Sequence, residues 1–336
     1  MTTSSIDTAR GARRAAGALL RHLENRFALL LVLWGVAICV MSLLSPYFLQ
    51  VSTLPYFLQY IPVLGLLGMG QTLVMLAGGP GIDISVGSAM SLSGVFLGWL
   101  LGSLDVPILI ACLACLAFGA GLGFFNGVLV NVVGIPSLMA TLATYFAFGG
   151  LALALTGGRP QTGFPDAFAW LGAPGWLDIP NHVFFVFVPV AVVLHIGLSR
   201  TVAGRHVYAC GNNEKAARLL GIKVDAIRLS LYTLSGALAG LAAIVSASWL
   251  MSASPDAGEG LELLSVTIAV LGGTHIFGGE GDIRGTVLAI LIVTTLQTGL
   301  ELAGISMAWQ LGVIGGLMIL SVAATQAVRR RRAAGR

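Results

Sequence analysis

The amino-acid sequence predicts an all-α, polytopic membrane protein. Of the 336 residues, 57% are hydrophobic and only 10% are charged, whereas a soluble domain carries roughly 25% charged residues. A chain so poor in charge cannot cover a surface that faces water. Its apolar residues fall into about ten runs, each close to the roughly 20 residues that a helix needs to cross about 30 Å of hydrocarbon.

These runs occupy the chain from residue 27 to residue 327. The predicted spans are 27–45, 56–77, 86–104, 106–131, 135–156, 182–199, 228–250, 261–277, 285–302 and 306–327. We therefore expect a basic N-terminal segment (1–26), a transmembrane domain (27–327) and a basic tail (328–336). The longer loops on the far side of the membrane are predicted at 46–55, 157–181 and 251–260.

The distribution of charge predicts the orientation of the chain. An even number of spans places both termini on one side, and every lysine and arginine except Arg159 then lies on that side. Because membrane proteins concentrate lysine and arginine in cytoplasmic loops, both termini are expected in the cytoplasm. The basic ends are better explained as membrane anchors than as a nucleic-acid site, so we expect no nucleic-acid partner.

The four cysteines do not predict a metal site. Cys112 and Cys115 have the spacing of a ligand pair, but they lie in an apolar run with no histidine or further cysteine nearby. Two small packing residues explain this pair better than metal or redox chemistry does.

The longest charged interruption lies at residues 204–222, inside a predicted cytoplasmic loop at 200–228. It contains the sequence of a short helix: Asn213, or Asn212, can cap the first turn, and Gly221 can take the left-handed conformation just past the end. Glu214 and Arg218 are spaced to form an i,i+4 ion pair. Such a short helix is not stable alone, so it must either dock on another surface or remain part of a solvated loop.

Two glycine-rich segments, 78–88 and 278–286, resemble each other, and each follows one apolar span and opens another. Internal repeats of this kind are common in transporters. Neither segment is a phosphate-binding loop, since no Gly-Lys-Ser/Thr follows. Asp83 in the first segment is expected at the membrane edge, as a helix cap or with a role in gating.

Polar residues inside the spans are mostly amides and hydroxyls, which suit a neutral polyhydroxyl solute. Each of them can also be explained as a contact between helices. No lysine or arginine lies deep in a span, and no chain of carboxylates indicates ion coupling. The candidate residues for a solute path are Gln71, Asn126, Asn131, Thr144 and Tyr145.

The polar run beginning Gly204-Arg205, with its later Ala216-Ala217 pair and Gly221-Ile222, resembles the cytoplasmic coupling loop of bacterial ABC-importer permeases. The resemblance is to the family that imports ribose, other monosaccharides and related small polar solutes. Residues 78–88 resemble the G-G-I-D-L-S-V-G motif of that family, interrupted by Pro80-Gly81, and residues 272–279 resemble its second glycine-rich motif. The resemblance covers essentially all of the chain after the first span.

The resemblance implies a non-enzymatic, multi-pass permease subunit of the bacterial inner (plasma) membrane. It would move a neutral monosaccharide or related solute into the cytoplasm by alternating access. The implied partners are cytoplasmic ABC ATPase subunits, a second permease copy, identical or related, and a periplasmic solute-binding protein. No cofactor is expected on this chain, and ATP–Mg belongs to the ATPase.

The resemblance also assigns roles to particular positions. The residues expected to couple the chain to the ATPase are Gly204, Arg205, Tyr208, Gly211, Asn213, Glu214, Ala216, Ala217 and Gly221. The residues expected to act in translocation or gating are Gly79, Gly81, Asp83, Ser85, Gly87, Gly278, Gly279 and Gly281. An ion-coupled secondary transporter and an intramembrane enzyme remain the alternatives. The first would need buried ionisable pairs, and the second would need converging catalytic groups.

Overall fold

The computed structural model describes residues 26–306 apart from 51 and 80, together with 308–310, 312–316, 319 and 323. These residues form eleven α-helices and no β-strand, which confirms the all-α prediction. The basic tail, residues 1–25 and most of the predicted span 306–327 lie outside the described residues.

The helices follow the order of the predicted spans, with two extra short helices in the loop at 200–228. They are α1 (Arg26–Leu44), α2 (Thr53–Leu76), α3 (Val86–Gly102), α4 (Ile108–Asn131), α5 (Ser137–Thr156), α6 (Val188–Arg200), α7 (Val202–Asn212), α8 (Glu214–Leu219), α9 (Val224–Leu250), α10 (Leu261–Leu271) and α11 (Ile283–Leu302). A π-helical turn, Val183–Phe187, leads into α6. Two 3₁₀ turns, Asp166–Leu171 and Trp176–Asp178, lie in the proline-rich loop at 157–181.

Seven helices of the described chain are long and apolar enough to cross a membrane, counting α6 together with its π-helical turn. The other two apolar helices, α3 and α10, are shorter. The 11 residues of α10 extend only about 16 Å at 1.5 Å per residue, half of the hydrocarbon thickness. The predicted span at 261–277 is therefore wrong, because the helix stops at Gly272. There a Cβ would lie 2.6 Å from the backbone nitrogen of Thr286.

Helices α2, α9 and α11 form the centre of the bundle, while α1, α4, α5 and α6 surround them. Most residues of the central helices are buried, whereas the surrounding helices expose large apolar side chains such as Leu109, Phe146 and Val193. An apolar helix with an exposed apolar face is suited to contact lipid or another membrane subunit.

Helices α4 and α9 approach each other through glycines spaced four residues apart. A Cβ on Gly236 of α9 would lie 2.3 Å from the carbonyl oxygen of Gly119, and a Cβ on Gly123 of α4 would lie 2.1 Å from that of Tyr232. Small residues at this spacing let two backbones touch in a membrane, where helix packing depends on van der Waals contact rather than on water exclusion.

The substitution Gly236→Ala is expected to destabilise the bundle by about 1–3 kcal/mol, because the new methyl group forces α4 and α9 apart. Thermal unfolding in detergent would show this as a lower midpoint. The matched control is Gly121→Ala on α4, where a Cβ meets nothing within 4 Å. Equal midpoints for the two variants would show that the contact between α4 and α9 is not tight.

Candidate functional site

The polar loop, residues 200–228, contains two short helices instead of the single one that the sequence predicted. The Thr201 hydroxyl accepts a hydrogen bond from the Gly204 N–H (3.1 Å) and caps α7. Asn213 is extended (φ −157°), which separates the two helices, and its side chain accepts from the Ala216 N–H (3.0 Å) to cap α8. Gly221 takes a left-handed conformation (φ +79°) after α8. These findings confirm the predicted helix ends and select Asn213 over Asn212 as the cap.

An ion-pair network fastens α8 to the membrane helices. The Glu214 carboxylate pairs with Arg218 (3.0 Å), as predicted, and also with Arg228 of α9 (2.7 Å). Arg218 in turn forms two hydrogen bonds to the carboxylate of Asp225, with N···O distances of 2.8 and 2.5 Å. The Arg228 guanidinium also donates to the carbonyl of Ala77 (3.3 Å), directly after α2. Arg228 therefore links α8, α9 and the end of α2, a role that the sequence analysis missed.

The two glycine-rich segments meet the polar loop at one point, which we call the glycine junction: Gly78, Gly211, Gly278 and Gly279. A Cβ on Gly211 would lie 2.1 Å from the carbonyl oxygen of Leu76 and 2.2 Å from the nitrogen of Gly279. A Cβ on Gly278 would lie 2.4 Å from the Cα of Gly78. The Gly279 N–H donates to the Leu76 carbonyl (3.0 Å), so backbone contacts backbone throughout the junction.

Two side chains of α7 strengthen the glycine junction. The Tyr208 hydroxyl donates to the carbonyl of Gly281 (2.8 Å), and the Asn212 amide donates to the carbonyl of Gly279 (3.4 Å). Gly278 and Gly279 have positive φ values (+92° and +77°), which an L side chain rarely adopts. The last turns of α7 are thus fixed to the segment that leads into α11.

The first glycine-rich segment runs back into the bundle beside α2. The Gln71 side-chain amide lies against the backbone of Asp83, with its nitrogen facing the carbonyl (3.0 Å) and its oxygen facing the N–H (3.2 Å). The Asp83 carboxylate accepts from the backbone and the hydroxyl of Ser85, and the Asn126 amide donates to that hydroxyl (2.6 Å). Asp83 is only 2% exposed, so its carboxylate is enclosed by the protein, and its hydrogen bonds to Ser85 order the start of α3.

The segment 251–260, which was predicted as an outer loop, does not stay at the surface but also enters the bundle. Ala253 and Gln161 exchange two backbone hydrogen bonds (2.9 Å each), and the Gly258 N–H donates to the Ser91 hydroxyl of α3 (2.9 Å). A Cβ on Gly258 would lie 2.0 Å from the carbonyl oxygen of Gly87. The segment therefore follows α3 down to its first turn, so that α3 and α10 begin close together.

The five candidates for a solute path do not converge. Gln71 and Asn126 belong to the Asp83 network described above, and Asn131 donates to the Gly127 carbonyl (2.8 Å) at the end of α4. The Thr144 hydroxyl donates to carbonyls of its own helix. Tyr145 lines a cavity of about 280 Å³ between α3, α5 and residues 255–259. Asn131 lines a separate cavity of about 210 Å³, beside Gly79 and Arg228.

Some of the remaining predicted residues are packed against other parts of the protein, and others are exposed on its surface. Gly204 is buried against the end of α6, and Ala217 is the buried residue of α8. Gly81 lies against the Val74 carbonyl and Gly79 against the Arg228 guanidinium. Arg205 and Ala216 are exposed. The assigned roles of these residues in coupling and gating remain predictions.

This protein is a multi-pass membrane protein of the kind found among transporters: re-entrant backbone is buried within a bundle of apolar, membrane-length helices. Residues 53–322 match the family described as branched-chain amino acid transport system / permease component. The chain belongs to this family.

Curated relatives resemble nearly the whole chain. The ribose import permease protein RbsC of Escherichia coli K12 is 38% identical over 96% of this chain and 98% of its own length. RbsC of Bacillus subtilis is 39% identical over 85% of this chain and 88% of its own length. The autoinducer 2 import system permease protein LsrC of E. coli K12 / DH10B is 37% identical over 90% of this chain and 88% of its own length. No solved structure matches the chain.

Acidification is expected to loosen the polar loop. Burial raises the pKa of Glu214, but the hydrogen bonds from Arg228 and Arg218 outweigh it and hold the pKa below its usual value. A carboxylate whose pKa is lowered in the folded state stabilises the folded protein. Its full contribution is present above the ordinary pKa, about 4.3 for glutamate, and is lost as the pH falls through the folded-state pKa. Amide hydrogen exchange at 214–221, corrected for intrinsic rates, should therefore be constant near neutral pH and accelerate only in acid.

The control is Glu214→Gln, which removes the charge at every pH. Its amides at 214–221 should exchange faster than those of the unaltered chain already at neutral pH. Equal protection of the two proteins at neutral pH would contradict the role given to this carboxylate.

Proposed function

We propose that the chain is the transmembrane permease subunit of an ATP-binding-cassette importer for a neutral monosaccharide or a related small polar solute. The similarity to ribose and autoinducer 2 import permeases over nearly the whole chain supports this class of solute. The structural observation that carries the proposal is the polar loop, which exposes an apolar surface and is fastened by backbone contacts to both glycine-rich segments.

The exposed apolar surface of the polar loop is the docking site for the ATPase. Leu219 is 89% exposed and Leu220 is 79% exposed, next to the small, exposed Ala216. Two adjacent leucines in a charged loop are expected to be covered by a partner, because an apolar cluster facing water indicates a binding surface. The partner fits a cytoplasmic ATPase subunit, since the chain carries no phosphate-binding motif of its own. ATP–Mg is bound by that subunit.

Closure of the ATPases over ATP displaces α8, and the displacement reaches the membrane helices by two routes. The first is ionic and runs through Glu214 and Arg228 to the end of α2. The second is the glycine junction, where Gly211 touches the backbones before α3 and before α11. The first route therefore reaches the end of α2, and the second reaches the segments that open α3 and α11. Movement of these three helices exposes the solute path alternately to the two sides of the membrane.

The assembly implied by this mechanism has further members. Both termini and the polar loop lie in the cytoplasm, as the charge distribution predicts. A second permease copy, identical or related, completes the pore in the bacterial inner membrane. A periplasmic solute-binding protein delivers the solute to the opposite face.

An ion-coupled secondary transporter is the second candidate. The observation that favours it is Glu262, which is 6% exposed and has one carboxylate oxygen without a hydrogen-bond partner in the described part of the chain. Buried carboxylates of this kind occur in proton pathways. Solute accumulation driven by an ion gradient in vesicles without ATP would favour this second candidate.

Leu219→Ser is expected to weaken binding of the ATPase subunit by about tenfold or more, as loss of an interface hot spot does. The measurement is the affinity of the purified permease in lipid nanodiscs for the ATPase that copurifies with it from native membranes. Val202→Ser is the control, since Val202 is also apolar and exposed, at the other end of the polar loop. Equal affinities of the two variants would contradict the docking site, and the absence of any copurifying ATPase would contradict the proposed function.

A further inference from the structure

A cavity of about 280 Å³ lies between α3, α5 and the re-entrant segment 251–260. Its polar lining residues are Ser88, Ser91, Tyr145, Asp256 and Glu259. The rest of the wall is apolar or small and consists of Phe146, Gly149, Gly150, Leu153 and Pro255. A few polar groups in an otherwise apolar concave wall are the usual composition of a small-molecule site.

The cavity lies where two interrupted helices begin. Ser88 and Ser91 belong to the first turns of α3, and Asp256 and Glu259 directly precede α10. Membrane transporters commonly place solute sites at such interruptions, because free backbone groups and helix ends are available there.

Glu262, in the first turn of α10, lies close to this region. One of its oxygens accepts from the Gly260 N–H (3.2 Å), and a Cβ on Gly87 would lie 2.6 Å from the other, which has no hydrogen-bond partner among the described residues. A carboxylate buried at membrane depth usually marks a functional region. Glu262 therefore lies between the start of α10 and the start of α3, beside the cavity.

The lining selects a chemical class of ligand. Carboxylates accept hydrogen bonds from hydroxyls, and serine hydroxyls can donate or accept. The lining contains two carboxylates and no lysine or arginine, so an anion such as a sugar phosphate would be repelled. In the described chain no group of three histidine, cysteine or acidic residues is placed to hold a metal ion. The volume is just below the roughly 300–1,000 Å³ of sites for drug-sized ligands, which suits a single monosaccharide.

We propose that this cavity is the solute-contact site of the permease on its outer side, specific for a neutral polyol. Asp256 and Glu259 accept hydrogen bonds from the solute hydroxyls, and Tyr145 supplies an aromatic wall with one further hydrogen-bonding group. This inference rests on the proposed function, because it requires that the chain carry such a solute.

The first test measures initial uptake of radiolabelled D-ribose, the solute named for two of the relatives, by the assembled transporter in vesicles. The double variant Asp256→Asn/Glu259→Gln and the single variant Tyr145→Phe should each lower uptake at subsaturating D-ribose by about tenfold or more. The controls are Glu301→Gln and Tyr56→Phe, which change exposed residues outside the cavity in the same way. Their uptake should equal that of the unaltered transporter.

The second test does not depend on the identity of the solute. Gly149→Cys places a thiol in the cavity wall. Gly121→Cys places a thiol on the face of α4 that points away from the bundle. A membrane-impermeant methanethiosulfonate reagent, added outside right-side-out vesicles, should label Gly149→Cys above the level of the unaltered chain and leave Gly121→Cys at that level. Absence of labelling at Gly149→Cys would overturn the inference.

The outcomes separate this inference from the proposed function. If the unaltered transporter takes up D-ribose but the cavity variants match their controls, the solute contacts lie elsewhere and the inference is overturned alone. If it takes up no neutral monosaccharide at all, both the proposed function and the inference fail.

Discussion

Backbone packed directly against backbone at the glycine junction is the constraint on which the rest of the structure depends. No side chain separates Gly211 from Leu76 and Gly279, and a single added carbon on Gly211 would lie about 2 Å from both. The end of α2, the last turn of α7 and the segment before α11 therefore occupy one rigid contact. Because close-packed protein does not absorb small displacements, a shift of α8 and α7 must move the two glycine-rich segments as well.

The same need to satisfy backbone groups explains why α3 and α10 begin inside the bundle. Extended backbone is tolerated at membrane depth only where other groups satisfy its N–H and C=O. Gln71 and Ser91 supply those partners for residues 83 and 258, and Gln161 supplies backbone partners for Ala253. The backbone groups that precede α3 and α10 thus find hydrogen-bond partners nearby. The same arrangement leaves a polar cavity where the two helices start.

Sequence patterns predicted the features that depend on near neighbours. The Asn213 cap, the Glu214–Arg218 pair and the left-handed Gly221 follow from spacings of eight residues or fewer. Three other features depend on packing between helices that are distant in the sequence. They are the pairing of Glu214 with Arg228, the contact between the glycine-rich segments, and the path of 251–260 beside α3. The span predicted from hydropathy at 261–277 was longer than α10, because an apolar run does not reveal that the helix ends at Gly272.

The most direct test of the glycine junction compares Gly211→Ala with Gly197→Ala in the assembled transporter. Gly197 is the matched control, since it is a helical glycine whose added Cβ would meet nothing within 4 Å. The measurement is the amount of D-ribose imported per ATP hydrolysed. Gly211→Ala should keep ATP hydrolysis but lower this ratio by about tenfold or more, while Gly197→Ala keeps the original ratio. An unchanged ratio in Gly211→Ala would show that the junction does not transmit motion.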